Sequence, residues 1–357
     1  MKYWSSIASR ISPYIPGEQP QDGGYIKLNT NENPYPPSPR ALAAIAEAAC
    51  DDLRLYPDPD CLRLRRAFSS VMDVASDEVF VGNGSDEVLA VAFQAFFDAE
   101  GPPIFFPDIS YSFYPVYADL YRIPYKQIPL REDFSINPAD YLTENGGIIL
   151  SNPNAPTSRA LSAESIIKML EYNQKIGRVV IVDEAYIAFG GESMVPYIHE
   201  FDNLIVTMTL SKSYALAGLR GGFALTQKGL VEALDRIKNS FNSYTLDRLA
   251  IAGAAEAVLD EEHFKTITQR IISTREHTAK TLHIMGFEVL PSSANFLFVK
   301  NNAICGEMLY NMLKARGILI RHFNRPRIVD WVRITVGRED EMETLLAAIS
   351  DTLGAIV

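Results

Sequence analysis

Val179-Val180-Ile181-Val182, followed at once by Asp183-Glu184-Ala185-Tyr186, is an apolar run without alternation that ends on carboxylates and a phenol. A strand covered on both faces reads this way, and such strands belong to parallel sheets flanked by helices. The surrounding pattern agrees. Val79-Phe80-Val81, Pro103-Ile104-Phe105-Phe106, Gly147-Ile148-Ile149-Leu150 and Leu204-Ile205-Val206-Thr207-Met208 read as further strands. Between them lie helical stretches at 39–50, 62–72, 86–97, 112–120 and 162–175, the last with Ser162 as its cap. Strands alternating with helices argue for an α/β fold with a mostly parallel central sheet.

After about residue 225 the character changes. Residues 228–240 and 245–285 read as long helices, and 287–290, 296–299 and 332–336 as short strands. Glu339 to Leu353 reads as a final amphipathic helix. The expected organisation is an extended N-terminal arm over 1–38, rich in Pro, Gly and Asn, that lies on the small domain or on a partner subunit. A large domain over 39–240 and a smaller α+β domain over 241–357 follow.

Bulk properties exclude several classes. The 357 residues are 47% apolar and 22% charged, as in ordinary globular proteins. The net charge of −11, with no basic tract, argues against nucleic acid as a partner. Cys50, Cys61 and Cys305 are scattered and form no CxxC pair, so neither a disulfide framework nor a metal site is expected. The N-terminus leads into no apolar signal core, and no run is long enough to span a bilayer. The expected location is the cytoplasm.

Open α/β sheets bind ligands at the carboxyl ends of their strands. Gly82-Asn83-Gly84-Ser85-Asp86-Glu87 follows one strand, and Ser85 or Asp86 could cap the next helix and leave its N–H groups facing an anion. A plain strand-to-helix turn fits the motif equally. Ser151-Asn152-Pro153-Asn154-Ala155-Pro156-Thr157-Ser158 follows another strand and offers asparagine amides on a rigid turn. Asp183 at the end of a buried strand is costly unless paired. A pyridinium nitrogen would pair it, and Tyr186 could reach an adjoining ring hydroxyl; a helix cap is the simpler alternative.

Thr209-Leu210-Ser211-Lys212 opens a loop that ends in Gly218-Leu219-Arg220. A desolvated lysine exposes the neutral amine a Schiff base needs, and an arginine fork suits a phosphate. Together they point to a cofactor carrying an aldehyde and a phosphate, pyridoxal 5'-phosphate (PLP). The alternative is a surface loop with two solvated cations. Arg333, inside Trp331-Val332-Arg333-Ile334-Thr335-Val336-Gly337, needs an anion or a water-facing side.

The ordered set of glycine turn, N-P-x-x-P turn, D-E-A-Y, S-K-x-x-x-x-x-G-L-R and R-I-T-V-G resembles the fold-type I PLP-dependent aminotransferases. Leu28-Asn29-Thr30-Asn31-Glu32-Asn33-Pro34, Leu55-Tyr56-Pro57-Asp58-Pro59 and Leu216 to Arg220 narrow the resemblance to their histidinol-phosphate branch, nearly end to end. The resemblance implies that Lys212 forms the Schiff base and moves the proton, that Asp183 holds the pyridinium N–H and that Tyr186 meets the 3-oxygen. It implies a phosphate cup of Gly84, Ser85, Asp86, Thr209, Ser211 and Arg220, with Tyr111 stacked on the ring. Tyr56 would reach the neighbouring site of a homodimer. Arg333 would bind the donor glutamate's carboxylate, while Tyr14 and Arg321 would line the substrate side, Arg321 toward a phosphate. The family's second asparagine in N-P-N-N-P is Ala155 here; either Asn154 or Asn152 shifts into its role, with Asn154 the candidate, or Tyr186 acts alone. The implied reaction interconverts L-histidinol phosphate plus 2-oxoglutarate and imidazole acetol phosphate plus L-glutamate. Rivals are an aromatic or branched-chain aminotransferase, a PLP-dependent threonine-phosphate decarboxylase, a PLP-binding regulator without turnover and a nucleotide-binding Rossmann enzyme. No G-x-G-x-x-G supports the last of these.

Overall fold

The structure is a computed structural model that describes residues 3–15, 17–20 and 23–354. Its strands are β1 (Ile26–Lys27), β2 (Val79–Asn83), β3 (Ile104–Pro107), β4 (Tyr125–Ile128), β5 (Ile148–Ser151), β6 (Val180–Asp183) and β7 (Leu204–Thr209). They continue as β8 (Gly221–Leu225), β9 (Phe287–Val289), β10 (Phe296–Asn301), β11 (Ile318–Leu319), β12 (Arg321–His322) and β13 (Val332–Thr335). Seven strands form one sheet in the order β2-β8-β7-β6-β5-β3-β4. Only β8 runs antiparallel to its neighbours β2 and β7. The four parallel strands that begin from hydrophobic runs are buried along their whole length, as their unalternating sequence requires.

The helices are α1 (Ser6–Arg10), α2 (Pro39–Ala48), α3 (Leu62–Met72), α4 (Gly84–Phe96), α5 (Phe113–Tyr121), α6 (Ala163–Lys175), α7 (Lys228–Asn239), α8 (Arg248–Leu259), α9 (Glu261–Ile284), α10 (Gly306–Ala315) and α11 (Glu339–Gly354). Their starts follow local chemistry. Ser38 accepts from Arg40 N ahead of Pro39 at the first turn. Ser162 accepts from Ser165 N. Core residues of the large sheet divide between two layers, one under α3, α6 and α8 and one under α4, α5 and α7. Leu246 to Val258 join the first of these layers, although they lie beyond residue 240.

The second sheet is antiparallel in the order β12-β13-β10-β9. Its core takes Leu28 from the N-terminal segment and Leu282 to Ile349 from the C-terminal region. The N-terminal segment is attached there because β1 pairs in parallel with β11.

Three features depart from the sequence pattern. The helical stretch 245–285 is two helices, because Asp260 ends α8 and caps α9, accepting from His263 N and from the Ser38 hydroxyl. Helix α4 begins at Gly84, so neither Ser85 nor Asp86 caps it; Asn83 precedes it without a side-chain cap, and the Glu87 carboxylate takes the Asn83 N–H at 2.5 Å. Strand β8 has no hydrophobic signature because two of its residues are glycine. Gly222 is there for space: a Cβ would lie 2.2 Å from the Gly84 carbonyl carbon and 2.3 Å from Ser85 N. Gly222→Ala is therefore expected to push the start of α4 off β8. If the site takes the PLP that the sequence resemblance implies, dialysis should show retention weakened about tenfold, roughly 1.4 kcal/mol, even where circular dichroism shows an intact fold.

Candidate active site

The carboxyl ends of β2, β5, β6 and β7 converge on a cavity of about 630 Å³, closed on its other side by residues of the N-terminal segment and by β12 and β13. Among the described residues the cavity takes five cations, Lys212, Arg220, Arg321, Arg325 and Arg333, against three carboxylates, Glu32, Asp86 and Asp183. A chain of net charge −11 thus presents a locally cationic cleft, which suits anionic ligands.

Lys212 lies in the loop after β7, and its Nζ donates to the Thr30 carbonyl at 3.1 Å. Burial pushes its ammonium down to about 8, with Arg333 adding repulsion. The fold therefore favours the neutral, nucleophilic amine. At pH 7 about a tenth of such a group is neutral, against roughly 3 in 10,000 for an ordinary lysine. Amine labelling of cofactor-free protein should show Lys212 reacting with a midpoint near pH 8; a midpoint above pH 10 would contradict this burial. The same shift makes stability rise between about pH 8 and 10.5, where the unfolded chain binds the extra proton.

Asp183, at the end of β6, is 4% exposed. Its carboxylate accepts from the Tyr114 hydroxyl at 3.0 Å and from Ala185 N at 3.2 Å, both neutral donors. Burial pushes it up to about 6. Tyr186 is buried, and Asn31 Nδ2 donates to its hydroxyl oxygen at 3.0 Å, which leaves the phenolic hydrogen available to a ligand. Tyr111 donates to Asp86 Oδ1 at 2.7 Å, and Arg220 Nη2 lies 3.4 Å from Asp86 Oδ2. Thr209 donates to the Ser211 hydroxyl at 3.0 Å. Gly84 is packed against this group, since a Cβ there would meet Arg220 Nη2 at 2.7 Å.

On the opposite wall, Arg321 and Arg333 are direct partners across β12 and β13. Like charges placed opposite each other destabilise a sheet, a cost that an anion between them would offset. Arg333 donates to the Asn29 carbonyl at 2.9 Å, while its Nε is buried without a partner. Tyr14 stacks on Phe113 with ring centroids 4.3 Å apart and lines the same cavity.

Three residues that the sequence pointed to lie elsewhere. The Asn154 amide is fully engaged: it donates to the Ile109 carbonyl and Thr157 Oγ1 and accepts from Ser110 Oγ, each at 2.9 Å. Asn152 is tied to both backbone groups of Leu161. Neither lines the cavity, whereas Ala155 does. Tyr56 is 79% exposed, stacked on Tyr244 at 4.6 Å and outside the cavity of its own chain.

The sequence reading missed Asn31, Tyr114 and Asn33. Asn31 stands at φ +56, bonded through Thr335 and Asn295 to the second sheet. Asn33 donates to the Lys212 carbonyl at 2.9 Å and so fixes the lysine loop. The Asn-rich segment carried that signal. Tyr114 gave none, since an aromatic within a helix reads as core. Glu184, beside Asp183, is a buried carboxylate held by Ser193 Oγ and Met194 N at 2.6 Å each, and burial pushes it up to about 7. It faces away from the cavity lining. Among the described residues no group of His, Cys, Asp and Glu could hold a metal ion, and no helix is long and apolar enough to cross a membrane.

Residues 24–349 match the family of aminotransferase class I and II. The chain belongs to that family. Similar proteins include the histidinol-phosphate aminotransferase of Clostridium botulinum strain Langeland, 52% identical over 355 residues and 99% of each chain. Histidinol-phosphate aminotransferase 1 of Hydrogenovibrio crunogenus is 51% identical over 352 residues, 99% of this chain and 98% of the other. Among solved structures, the histidinol-phosphate aminotransferase of Clostridium acetobutylicum has a TM-score of 0.84 at 24% identity, covering 92% of this chain and 99% of that one. That of Sinorhizobium meliloti, in complex with pyridoxal-5'-phosphate, has a TM-score of 0.83 at 24% identity, covering 93% and 91%. At this identity the likeness shows a common fold.

Aminotransferases of this family depend on PLP. The residues present fit it. Asp183 is a buried anion whose partners are all neutral, which suits a protonated ring nitrogen. The glycine contact between Gly222 and Gly84 lets the start of α4 approach closely, and Arg220 and Ser85 stand beside it. Lys212 is desolvated in the same cavity.

Proposed function

We propose that the chain transfers the amino group between L-histidinol phosphate and 2-oxoglutarate, giving imidazole acetol phosphate and L-glutamate. The observation that carries this is the pairing, in one cavity, of a desolvated lysine with a buried carboxylate held only by neutral donors, faced by the Arg321–Arg333 pair. The relatives at 50–52% identity support the substrate. PLP, when bound, would supply the electron sink for the electron pair left when the substrate's α-carbon loses its proton.

In this reading Lys212 Nζ is the base and then the acid that carries that proton, a role its lowered pKa suits. Asp183 keeps the ring nitrogen protonated. Tyr186 donates to the ring's 3-oxygen without an asparagine partner, because Ala155 has no amide and the Asn154 amide is engaged elsewhere. Tyr111 covers the ring face. Ser85, Asp86 N–H, Thr209, Ser211 and Arg220 hold the phosphate beside Gly84. Arg333, with its free Nε, takes a carboxylate of glutamate; Tyr14 and Arg321 line the rest of the substrate. Tyr56, exposed and stacked on Tyr244, reaches the cofactor phosphate of a second subunit in a homodimer.

A screen of amino donors with 2-oxoglutarate as acceptor tests the substrate. Glutamate formation should be fastest with L-histidinol phosphate. Turnover with phenylalanine but none with histidinol phosphate would make this an aromatic aminotransferase, and CO₂ release in place of glutamate would make it a decarboxylase.

A further inference from the structure

Arg321 and Arg333 are not the only guanidinium groups on the substrate wall. Arg325 also lines the cavity, in the segment between β12 and β13. Within the described residues its side chain makes one hydrogen bond, from Nη2 to the Asp108 carbonyl at 3.1 Å. Among the described residues no carboxylate pairs it, and Nε and Nη1 remain available. Arg327, two residues on, behaves differently. It pairs with Asp108 Oδ2 at 2.9 Å and donates to the Leu130 and Arg131 carbonyls at 2.8 Å each. Its charge and its fork are taken up by the protein.

That difference assigns different jobs. Arg327 and the buried Ile328, packed with Ile109, Leu130 and Trp331, pin the segment to the large-sheet side of the cavity. Leu130 N occupies Asp108 Oδ1, so the Asp108 carboxylate is satisfied and does not draw Arg325 away. Arg325 is thereby held at the rim with a pre-positioned but unpaired charge. A monoanionic carboxylate needs one guanidinium fork, whereas a phosphate monoester carries up to two charges and three acceptor oxygens.

We propose that Arg325 is a specificity-determining residue that binds the substrate's phosphate together with Arg321. This rests on the phosphate-bearing substrate proposed above. The contact favours a phosphate monoester over the side-chain carboxylate of glutamate, which Arg321 can hold alone.

The test compares the loaded wild-type enzyme with Arg325→Gln and Arg325→Lys. In Arg325→Gln the KM for histidinol phosphate should rise about tenfold, with kcat and the KM for glutamate within about twofold. Inhibition by inorganic phosphate should weaken by a similar factor. Arg325→Lys should recover part of the loss, because a point charge replaces a fork. An unchanged KM for histidinol phosphate, or equal rises for both substrates, would overturn the proposal; equal rises would mark Arg325 as a clamp on Asp108 alone. Wild-type enzyme inactive with histidinol phosphate would instead overturn the substrate reading, and this proposal with it.

Discussion

Lys212→Ala is expected to lower the transamination rate by at least about 10³, roughly 4 kcal/mol of barrier, while the fold survives. The two expectations have one cause. The lysine is partly buried, with the Thr30 carbonyl as its one hydrogen-bond acceptor among the described residues, and desolvation pushes its ammonium down to about 8. The fold is therefore working against that charge, and removing it relieves a cost. The cofactor-free variant should melt at or above the wild-type temperature below pH 8, where the buried ammonium costs the native state most. Loss of rate with retained stability identifies a chemical role. Lys212→Arg sharpens the point: it keeps a cation but cannot give up its proton near neutral pH, so it should be as inactive as the alanine variant. A Lys212→Ala enzyme turning over near the wild-type rate would remove the proposed mechanism.

Much of this site was legible in the sequence because strand ends in an open α/β sheet point at the ligand. Asp183, Thr209 and Ser151 close the buried runs of β6, β7 and β5, and all three line the cavity. The run 179–182 revealed its strand because both faces are buried, and pattern alone fixes such a strand. What failed to show was position relative to a partner element. Strand β8 carries glycines where packing against α4 forbids a side chain, so its composition hid it. Asn154 sits in the turn where an amide was expected, yet a neighbouring hydroxyl and two acceptors engage that amide. Asn31 does the opposite: it reaches 155 positions along the chain to orient Tyr186, a pairing no local pattern encodes. Arg325 and Arg327 look alike in sequence and differ only in what lies beside them.

Asp183→Asn should part activity from stability still more clearly. The native carboxylate is pushed up to about 6 because burial penalises its charge more than Tyr114 and Ala185 N favour it. A raised carboxyl pKa means that the folded chain binds the extra proton between about pH 3.8 and 6. Stability therefore falls as pH rises through that window, and the full cost, about 3 kcal/mol as an upper figure, is present above pH 6. Asparagine keeps an acceptor for the Tyr114 hydroxyl and abolishes the charge, so the cofactor-free variant should be more stable than wild type at pH 7 and equal to it near pH 3.5. Asp183→Ala, by contrast, strands the Tyr114 hydroxyl and should lose about 1–3 kcal/mol of that gain. Activity should move the other way. With no anion to face a protonated ring nitrogen, the loaded Asp183→Asn enzyme should lose about 10²–10³ in kcat/KM, the scale of 3–4 kcal/mol for breaking a buried charge pair. Thermal melts of the cofactor-free protein at the two pH values, read beside kcat/KM of the loaded enzyme, decide the matter. Asp183→Asn activity within a few-fold of wild type would show that this carboxylate has no ring nitrogen to hold.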